Sequence, residues 1–166
     1  EQHSSIADFS TFELAVTQLR ASFDATWGGF GNAPKFPSTM NLEVLLRQLL
    51  AGEDSDLENV VTTSLNAMAS GGMYDHVGGG FSRYSVDEMW LVPHFEKMLY
   101  DQALLARVYM HAGMLFGNET WKQVARETIE YVLRDLTHRE GGFFSAEDAD
   151  SLDNSGHSHE GHFYVW

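Results

Sequence analysis

The sequence predicts an all-α fold in which antiparallel helix pairs repeat along the chain. Three glycine-aromatic segments divide its 166 residues, at residues 28–31, 78–81 and 141–144, and each interval between them accommodates two helices. Five stretches of the chain carry apolar residues at helical spacing. The connections between these stretches alternate between short and long. Because consecutive helices in such an array alternate in direction, we expect the long connections to lie together at one end of the molecule.

The first two helices are predicted from an apolar stripe and from residues that start or stop helices. The first is expected to run from Ser10 to about Trp27, with Ser10 and Glu13 as a capping box. The second is expected to begin at about Ser38, directly after a proline, and to end before Gly52.

The third and fourth helices differ in how much apolar surface they carry. The third is predicted to begin at Ser55, with Glu58 as its capping partner, and to end at Gly71. The fourth is predicted from about His94 to Leu115 and is apolar around most of its circumference. A helix with this pattern is buried on several sides.

The fifth helix is predicted to begin at Thr120, with Gln123 as a possible capping partner, and to reach about Leu136. Its apolar and charged residues fall on opposite faces, which is typical of an outer helix that is partly in contact with solvent. After it the sequence predicts a polar loop and then a short β-hairpin at residues 162–166.

Composition narrows the classes of partner. The formal net charge is −14 and the isoelectric point about 4.7, so phosphate backbones and anionic lipids are repelled. We therefore expect no nucleic acid and no membrane partner. The absence of cysteine excludes disulfides and thiolate metal sites. We expect no cofactor, and the lack of a signal-peptide pattern favours the cytoplasm.

The long connections follow the first, third and fifth helices and are rich in Asp, His, Arg, Trp and Tyr. Long loops on one face of a repeated scaffold are usually where binding or catalysis occurs. The negative net charge leaves neutral polyols and sugars, cations and basic proteins as possible partners, and of these we expect a sugar or polyol as the ligand. The alternative is that these loops merely cover the open end of the helical layer.

Four sequence segments carry a family resemblance: residues 31–37 (GNAPKFP), 72–87, 90–101 and 142–151. From about Trp27 to Trp166 the chain resembles the spermatogenesis-associated protein 20 family. The resemblance implies an (α/α)6 toroid similar to six-hairpin glycosidases and N-acylglucosamine 2-epimerases. The resemblance also implies that family members carry a thioredoxin-like domain before the toroid. We expect residues 1–166 not to include that domain. We expect these residues to be the N-terminal part of the toroid, with the remainder of the toroid as partner and with self-association of the isolated fragment.

Glycoside hydrolysis requires one carboxylic acid and one further carboxylate. Asp148 is our candidate for the acid and Asp75 for its partner, while Glu147 and Asp150 crowd the same loop and are candidates for substrate binding. Repulsion within this group should raise at least one pKa. The alternative is that Asp148 and Asp150 cap a turn or pair with basic side chains.

Epimerisation next to a carbonyl requires two bases on opposite faces of one carbon, and histidine suits this role near neutral pH. His76 and His94 are the candidates. At the predicted start of the fourth helix, His94 would have its pKa lowered by the helix dipole. A structural role for His94, as a cap or in a hydrogen bond to a neighbouring loop, is the alternative.

Further side chains are candidates for binding a sugar. Tyr84 and Trp90 would offer flat apolar faces, and Arg83 and Glu96 would bind hydroxyl groups, unless these residues belong to the core. Lys35 lies between two prolines and either reaches the site or pairs with an acidic neighbour.

Two further expectations concern charged residues. Lys97 is expected to pair with Asp101 one helical turn later, without a functional role. His157, His159 and His162 are weak candidates for a metal site, and a solvated loop is the favoured interpretation because spacing alone specifies no second shell of ligand partners.

The leading functional hypothesis is a carbohydrate-active enzyme of the glycosidase or sugar-epimerase type, with its site on the long loops and with the isolated fragment inactive. The alternative is a non-catalytic interaction scaffold that works with a thioredoxin-like domain. An enzyme requires the candidate residues to converge on one concave site, whereas a scaffold favours a flatter surface with paired charges.

Overall fold

The computed structural model describes residues 9–162 and Tyr164. In this part of the chain it contains five α-helices, which are α1 (Phe9–Ala21), α2 (Thr39–Ala51), α3 (Ser55–Ser70), α4 (Leu99–Leu115) and α5 (Glu119–Asp135). The predicted all-α class and the five helices are therefore confirmed.

Six short strands lie within the long connections and form three antiparallel pairs: β1 (Tyr84–Ser85) with β2 (Pro93–His94), β3 (Lys97–Met98) with β4 (Ala146–Glu147), and β5 (Asp150–Leu152) with β6 (Ser158–Glu160). The last pair is a hairpin that lies before the predicted one. Of the hairpin predicted at residues 162–166, Phe163, Val165 and Trp166 lie outside the described residues.

The helices pack in two layers. Helices α2 and α4 pack against each other, while α1 and α3 pack against α2 and α5 packs against α4. The core lies between the layers and includes Leu42, Leu65 and Tyr109, which are fully buried. Buried residues occur on several sides of α4, as its apolar circumference predicts.

The N-terminal caps of two helices lie before the predicted positions, by one residue in α3 and by two residues in α5. The Asp54 carboxylate accepts a hydrogen bond from the Leu57 amide at 3.1 Å and caps α3. The Asn118 side chain accepts one from the Trp121 amide at 3.2 Å and caps α5. The capping boxes predicted at Ser55 and Thr120 are wrong, because Asp54 and Asn118 hold the extended backbone that a capping residue requires.

The first helix is shorter than predicted. It ends at Ala21 rather than near Trp27, because the following residues fold back into a loop in which Phe23 and Phe30 form a backbone bridge. Ser10 lies inside α1, so its predicted capping role is also wrong.

The fourth helix begins at Leu99 and not at His94. Pro93–His94 and Lys97–Met98 instead form β2 and β3, and Met98 before the helix has extended backbone angles. His94 therefore lies in a strand, and the predicted effect of a helix dipole on it does not apply.

Each odd-numbered helix is followed by a loop of the same type. We name them glycine loop 1 (residues 23–30), glycine loop 2 (residues 74–81) and glycine loop 3 (residues 137–143). A backbone bridge closes each loop, and one further hydrogen bond runs from the second residue to the glycine before the final phenylalanine: Asp24 to Gly29 at 3.0 Å, Asp75 to Gly80 at 2.9 Å and His138 to Gly142 at 3.1 Å. The repeat seen in the sequence is thus a repeat of backbone structure.

A buried lysine fixes glycine loop 1. The Lys35 ammonium donates to the Asp24 carboxylate at 2.5 Å and to the Gly28 carbonyl at 3.0 Å, and it lies 5.5 Å from the ring centre of Trp90. The Lys35 side chain is fully buried. A charge this deep is stable only when it is paired and hydrogen-bonded, so Lys35 ties the loop to the segment that follows it.

Lys97 fixes glycine loop 2 in the same way. Its ammonium donates to the Asp75 carboxylate at 2.8 Å and to the Gly79 carbonyl at 3.1 Å, and it lies 4.3 Å from the ring centre of Tyr131. The expected pairing of Lys97 with Asp101 is wrong, because Lys97 lies in β3 and its side chain enters the loop rather than following a helix face.

We expect Lys97→Met to lower the free energy of unfolding by about 3 kcal/mol, because it leaves the Asp75 carboxylate buried without its charged partner. Urea denaturation followed by circular dichroism measures this change. Lys122→Met is the matched control, since Lys122 pairs with the exposed carboxylate of Glu119, and it should move the midpoint only slightly. Equal effects of the two substitutions would contradict the role given to Lys97.

Candidate functional site

The three long connections lie side by side. Lys35 and Ser85 exchange backbone hydrogen bonds of 2.8 and 2.9 Å, which joins the connection after α1 to the one after α3. Lys97 pairs with Glu147 in the β3–β4 ladder, which joins the connection after α3 to the one after α5. Segments that are remote in sequence therefore form one surface, as the alternation of helix directions predicts.

The middle connection carries most of the polar residues that meet on this surface. We call them the rim cluster; its members are Arg83, Tyr84, His94, Glu96, Asp101 and Glu160. The β1–β2 ladder places Tyr84 opposite His94, and their rings stack with centres 4.9 Å apart. Four of the residues predicted from the sequence are thus brought together: Arg83, Tyr84, His94 and Glu96.

His94 is oriented by a carboxylate from the β5–β6 hairpin. Its Nδ1 lies 2.7 Å from Glu160 Oε1, which also accepts the Phe95 amide at 3.2 Å, and its Nε2 lies 3.7 Å from Glu96 Oε2. In a neutral ring, donation from Nδ1 to Glu160 leaves the Nε2 lone pair available to accept a proton. The His94 side chain is 26% exposed, so a ligand can reach it.

Asp101 and Arg83 carry two buried polar atoms that lack a hydrogen-bond partner in the described part of the chain, Asp101 Oδ2 and Arg83 Nε. Burial raises the pKa of Asp101 to about 6, against the lowering effect of the Arg83 charge and with a further contribution from Glu96. Arg83 itself donates to Glu96 at 2.9 Å. The rim cluster therefore contains a carboxyl group that changes its charge just below neutral pH.

Asp75, a predicted catalytic carboxylate, is fully engaged within glycine loop 2. One oxygen accepts from Lys97, and the other accepts the amides of Val77 and Gly78 at 3.0 and 2.7 Å. Burial alone would raise the pKa of Asp75, but the Gly78 amide and the Lys97 ammonium lower it below its ordinary value. A carboxylate with both oxygens occupied in this way is suited to holding the loop rather than to serving as the second carboxylate of glycoside hydrolysis.

The other predicted carboxylates lie on the neighbouring connection. Asp148 is exposed and accepts the Asp150 amide at 3.0 Å, which is the turn-capping arrangement left open by the sequence. Asp150 accepts from Ser158 at 3.1 Å, and Glu147 accepts from the Tyr131 hydroxyl at 2.6 Å. The described contacts therefore hold these three carboxylates within local structure.

The side chains of three further predicted residues make their contacts outside the rim cluster. Lys35 and Trp90 are buried beneath glycine loop 1, and the Trp90 ring nitrogen donates to the Trp27 carbonyl at 3.0 Å. His76 is exposed and its Nε2 lies 3.0 Å from the Gly71 carbonyl oxygen. Lys35 and Trp90 thus take the structural role that the sequence left open.

The histidine-rich hairpin shows no metal-binding geometry. His159 Nε2 lies 3.0 Å from the Asp153 carboxylate, and the rings of His159 and His162 are 5.6 Å apart. Across residues 9–162 and Tyr164, no three side chains of the types that bind metals are grouped closely enough to hold an ion. In the same residues, no helix is both long and apolar enough to cross a bilayer.

Two members of the rim cluster were missed from the sequence. Asp101 was expected to pair with Lys97, and Glu160 lies 66 residues from the histidine that it contacts. The only sequence signal for Asp101 was its position among apolar residues of a buried helix. Nothing in the spacing of Glu160 indicated its partner.

No family model matches the chain. Among curated proteins it is 49% identical over 154 residues to human spermatogenesis-associated protein 20, covering 90% of this chain and 20% of that protein. The mouse protein of the same name is 47% identical, again over 90% of this chain and 20% of that protein, and the uncharacterized Caenorhabditis elegans protein B0495.5 is 39% identical over 93% and 22%. The chain spans about a fifth of the length of these relatives. The resemblance to the spermatogenesis-associated protein 20 family is confirmed.

Solved structures of similar fold include sugar epimerases. Cellobiose 2-epimerase from Spirochaeta thermophila superposes with a TM-score of 0.70 at 17% identity, over 84% of this chain and 41% of that chain. A sugar epimerase from a ruminal bacterium gives 0.71 at 15% identity, over 84% and 40%. These likenesses confirm the expected partial (α/α)6 toroid, and at such identities they speak for the fold alone.

The raised pKa of Asp101 predicts a stability change with pH. Since the folded state binds this proton more tightly than the unfolded state, stability should fall as pH rises from about 4 to about 6, by at most about 3 kcal/mol. Asp101→Asn should remove this part of the pH dependence, as measured by urea unfolding at several pH values. Asp148→Asn, at an exposed carboxylate, is the control and should preserve it; an unchanged profile in Asp101→Asn would contradict the assignment.

Proposed function

We propose that this chain, a segment homologous to spermatogenesis-associated protein 20, contributes part of the active site of a carbohydrate-active enzyme of the sugar-epimerase type. In this proposal His94 transfers the proton of the carbon next to the sugar carbonyl. The observation that carries it is the orientation of His94, whose Nδ1 is held by Glu160 at 2.7 Å while its ring stacks on Tyr84. A histidine fixed in this way is a base with a defined free nitrogen.

The chemistry needs few components. His94 Nε2 takes the proton from the carbon, and the electron pair of the broken C–H bond moves to the carbonyl oxygen to give an enediolate. Return of a proton to the opposite face of the carbon inverts it. Arg83 supplies positive charge for the developing oxyanion, and Asp101, with its pKa of about 6, suits the second proton transfer.

Proton abstraction is favoured over glycoside hydrolysis because the two carboxylates predicted for hydrolysis, Asp75 and Asp148, are engaged in other contacts. Asp75 is held by Lys97 and by two backbone amides, and Asp148 is occupied in its own turn. Besides an acid, hydrolysis needs a second carboxylate that is free to activate water or to attack the sugar, and these contacts occupy both oxygens of Asp75. The fold likeness to sugar epimerases agrees with this preference.

A second candidate function is a non-catalytic scaffold that binds another protein. The observation in its favour is that charged groups of the surface are paired, as in Arg83 with Glu96 and Lys97 with Asp75. A net charge of −14 would favour a basic partner. In this case the thioredoxin-like domain implied by the family resemblance would supply any chemistry.

The test is carried out in a full-length protein of the family, since we propose that the rest of the toroid completes the site. Incubation with reducing sugars in D₂O, followed by NMR, detects deuterium entering at carbon 2 even before the true substrate is known. We expect exchange and 2-epimer formation with at least one sugar. His94→Asn should slow exchange by about a hundredfold or more, the usual contribution of a general base.

His138→Gln is the matched control, because His138 lies in glycine loop 3 outside the rim cluster, and it should exchange at the unaltered rate. Loss of activity in both variants would point to a general effect on folding. If no sugar binds or exchanges deuterium, the enzyme proposal is wrong and the scaffold is favoured.

A further inference from the structure

A second cluster of charged residues, separate from the rim cluster, lies where α2 and α4 pack against each other. Its centre is Glu43, whose side chain is only 3% exposed. The Oε2 atom of Glu43 accepts a hydrogen bond from Arg47 Nη1 at 2.7 Å. Its Oε1 atom lies 2.9 Å from His111 Nδ1 and 3.3 Å from Arg107 Nε. A carboxylate buried this deeply is stable only with such partners, so Glu43 holds three side chains from two helices in fixed positions.

The cluster around Glu43 carries more positive than negative charge. Arg47 and Arg107 are both cations, and among the described residues Glu43 is the acidic partner that they share. With a neutral His111, the cluster therefore has one surplus positive charge. Because the whole chain has a net charge of −14, this is a local reversal of sign. An anion is attracted to this place although it is repelled by the protein as a whole.

Arg47 has one edge of its guanidinium group free to bind a ligand. Its two contacts with the described residues, to the Glu43 carboxylate at 2.7 Å and to the Glu43 carbonyl at 2.9 Å, both use Nη1. The N–H groups on Nε and Nη2 share the other edge of the planar group, and this is an arrangement that binds both oxygens of one carboxylate. The Arg47 side chain is 57% exposed, so a ligand can reach that edge.

A pocket of about 480 Å³ adjoins the cluster, and its wall is polar on one side and apolar on the other. Glu43 and Arg47 belong to the polar side, and the apolar lining includes Leu46, Leu50 and Met114. Leu50 is 72% exposed and Met114 is 68% exposed. A pocket of this volume has the size of a site for a small molecule. The two sides together match a molecule with an anionic head and an apolar body.

We propose that this pocket binds a small amphipathic organic acid. Arg47 binds its carboxylate, and its apolar body lies against Leu50 and Met114. The single charge of a carboxylate matches the one surplus charge of the cluster. The pocket reaches the last turns of α2 and α4, whereas Asp101 of the rim cluster lies in the first turn of α4. The site is therefore distinct from the one proposed for a sugar, and it does not depend on that function.

The test is a titration of the chain with octanoate, followed by NMR of ¹³C-labelled methionine methyl groups. Met114 lines the pocket and reports binding, while Met68 is fully buried in the core and reports an intact fold. Octanol and octylammonium have the same apolar chain, with no charge and with a positive charge. We expect octanoate to shift the Met114 signal and to bind at least tenfold more tightly than either of them. Equal affinities for octanol and octanoate, or a Met114 signal that octanoate leaves unchanged, would overturn the proposal.

Two substitutions separate the anion site from a general apolar surface. Arg47→Gln removes the free edge and should weaken octanoate binding at least tenfold, whereas Arg126→Gln, at an exposed arginine of α5, should change it by less than twofold.

Leu50→Glu leaves every partner of Glu43 in place and puts a negative charge into the pocket, so it should also weaken binding at least tenfold. Leu152→Glu is its matched control, because Leu152 is 66% exposed and lies in β5. If either pocket variant binds octanoate as tightly as its control does, the proposal is wrong.

Other occupants of the pocket would give different results. A second copy of the chain would make the Met114 signal move with protein concentration in the absence of octanoate, and would overturn the proposal. Calorimetry then compares the chain with a chimera in which it replaces the matched segment of the full-length human relative. We expect the two affinities for octanoate to agree within about threefold. A chimera that unfolds cooperatively but does not bind octanoate would show that another part of the toroid fills the pocket, and the proposal would be wrong.

Discussion

The architecture depends on two ammonium groups buried beside aspartates, Lys35 with Asp24 and Lys97 with Asp75. Each lysine also donates to a glycine-loop carbonyl and lies near an aromatic ring. Moving a charge into the interior is costly, so these side chains are stable only where all their partners are in place. The requirement fixes the loops relative to the strands that follow them. The same contacts position the β1–β2 and β3–β4 ladders. The rim cluster is positioned with them.

The helices could be predicted because their signals are local. Apolar spacing and glycine stops located α2, α3 and α5 to within about two residues, since both act over a single turn. The start of α4 was misplaced because residues 93–98 have an apolar pattern that suits a helix, while backbone pairing with Tyr84 and Ala146 draws them into strands. Such pairing partners are remote in sequence, and periodicity contains no information about them.

For the site, too, local groupings of residues could be predicted from the sequence and contacts between remote segments could not. Arg83, Tyr84, His94 and Glu96 were predicted because they occur within one polar loop, and a single connection brings them together. Asp75 was predicted as a catalytic carboxylate, whereas its contacts hold a loop, and Lys35 takes the pairing with an acidic neighbour that the sequence had left open. Glu160 could not be found, because its contact with His94 depends on where the β5–β6 hairpin folds back. Residue types indicated the chemistry, and only the tertiary structure assigned the partners.

The β5–β6 hairpin lies outside the helical layers, its residues are mostly exposed, and the Glu160 it carries contacts His94. The group that orients the histidine is therefore separate from the residues that make the fold stable. Substitutions in the hairpin can therefore change the hydrogen bond that orients the His94 ring while the packing of the helical core stays the same.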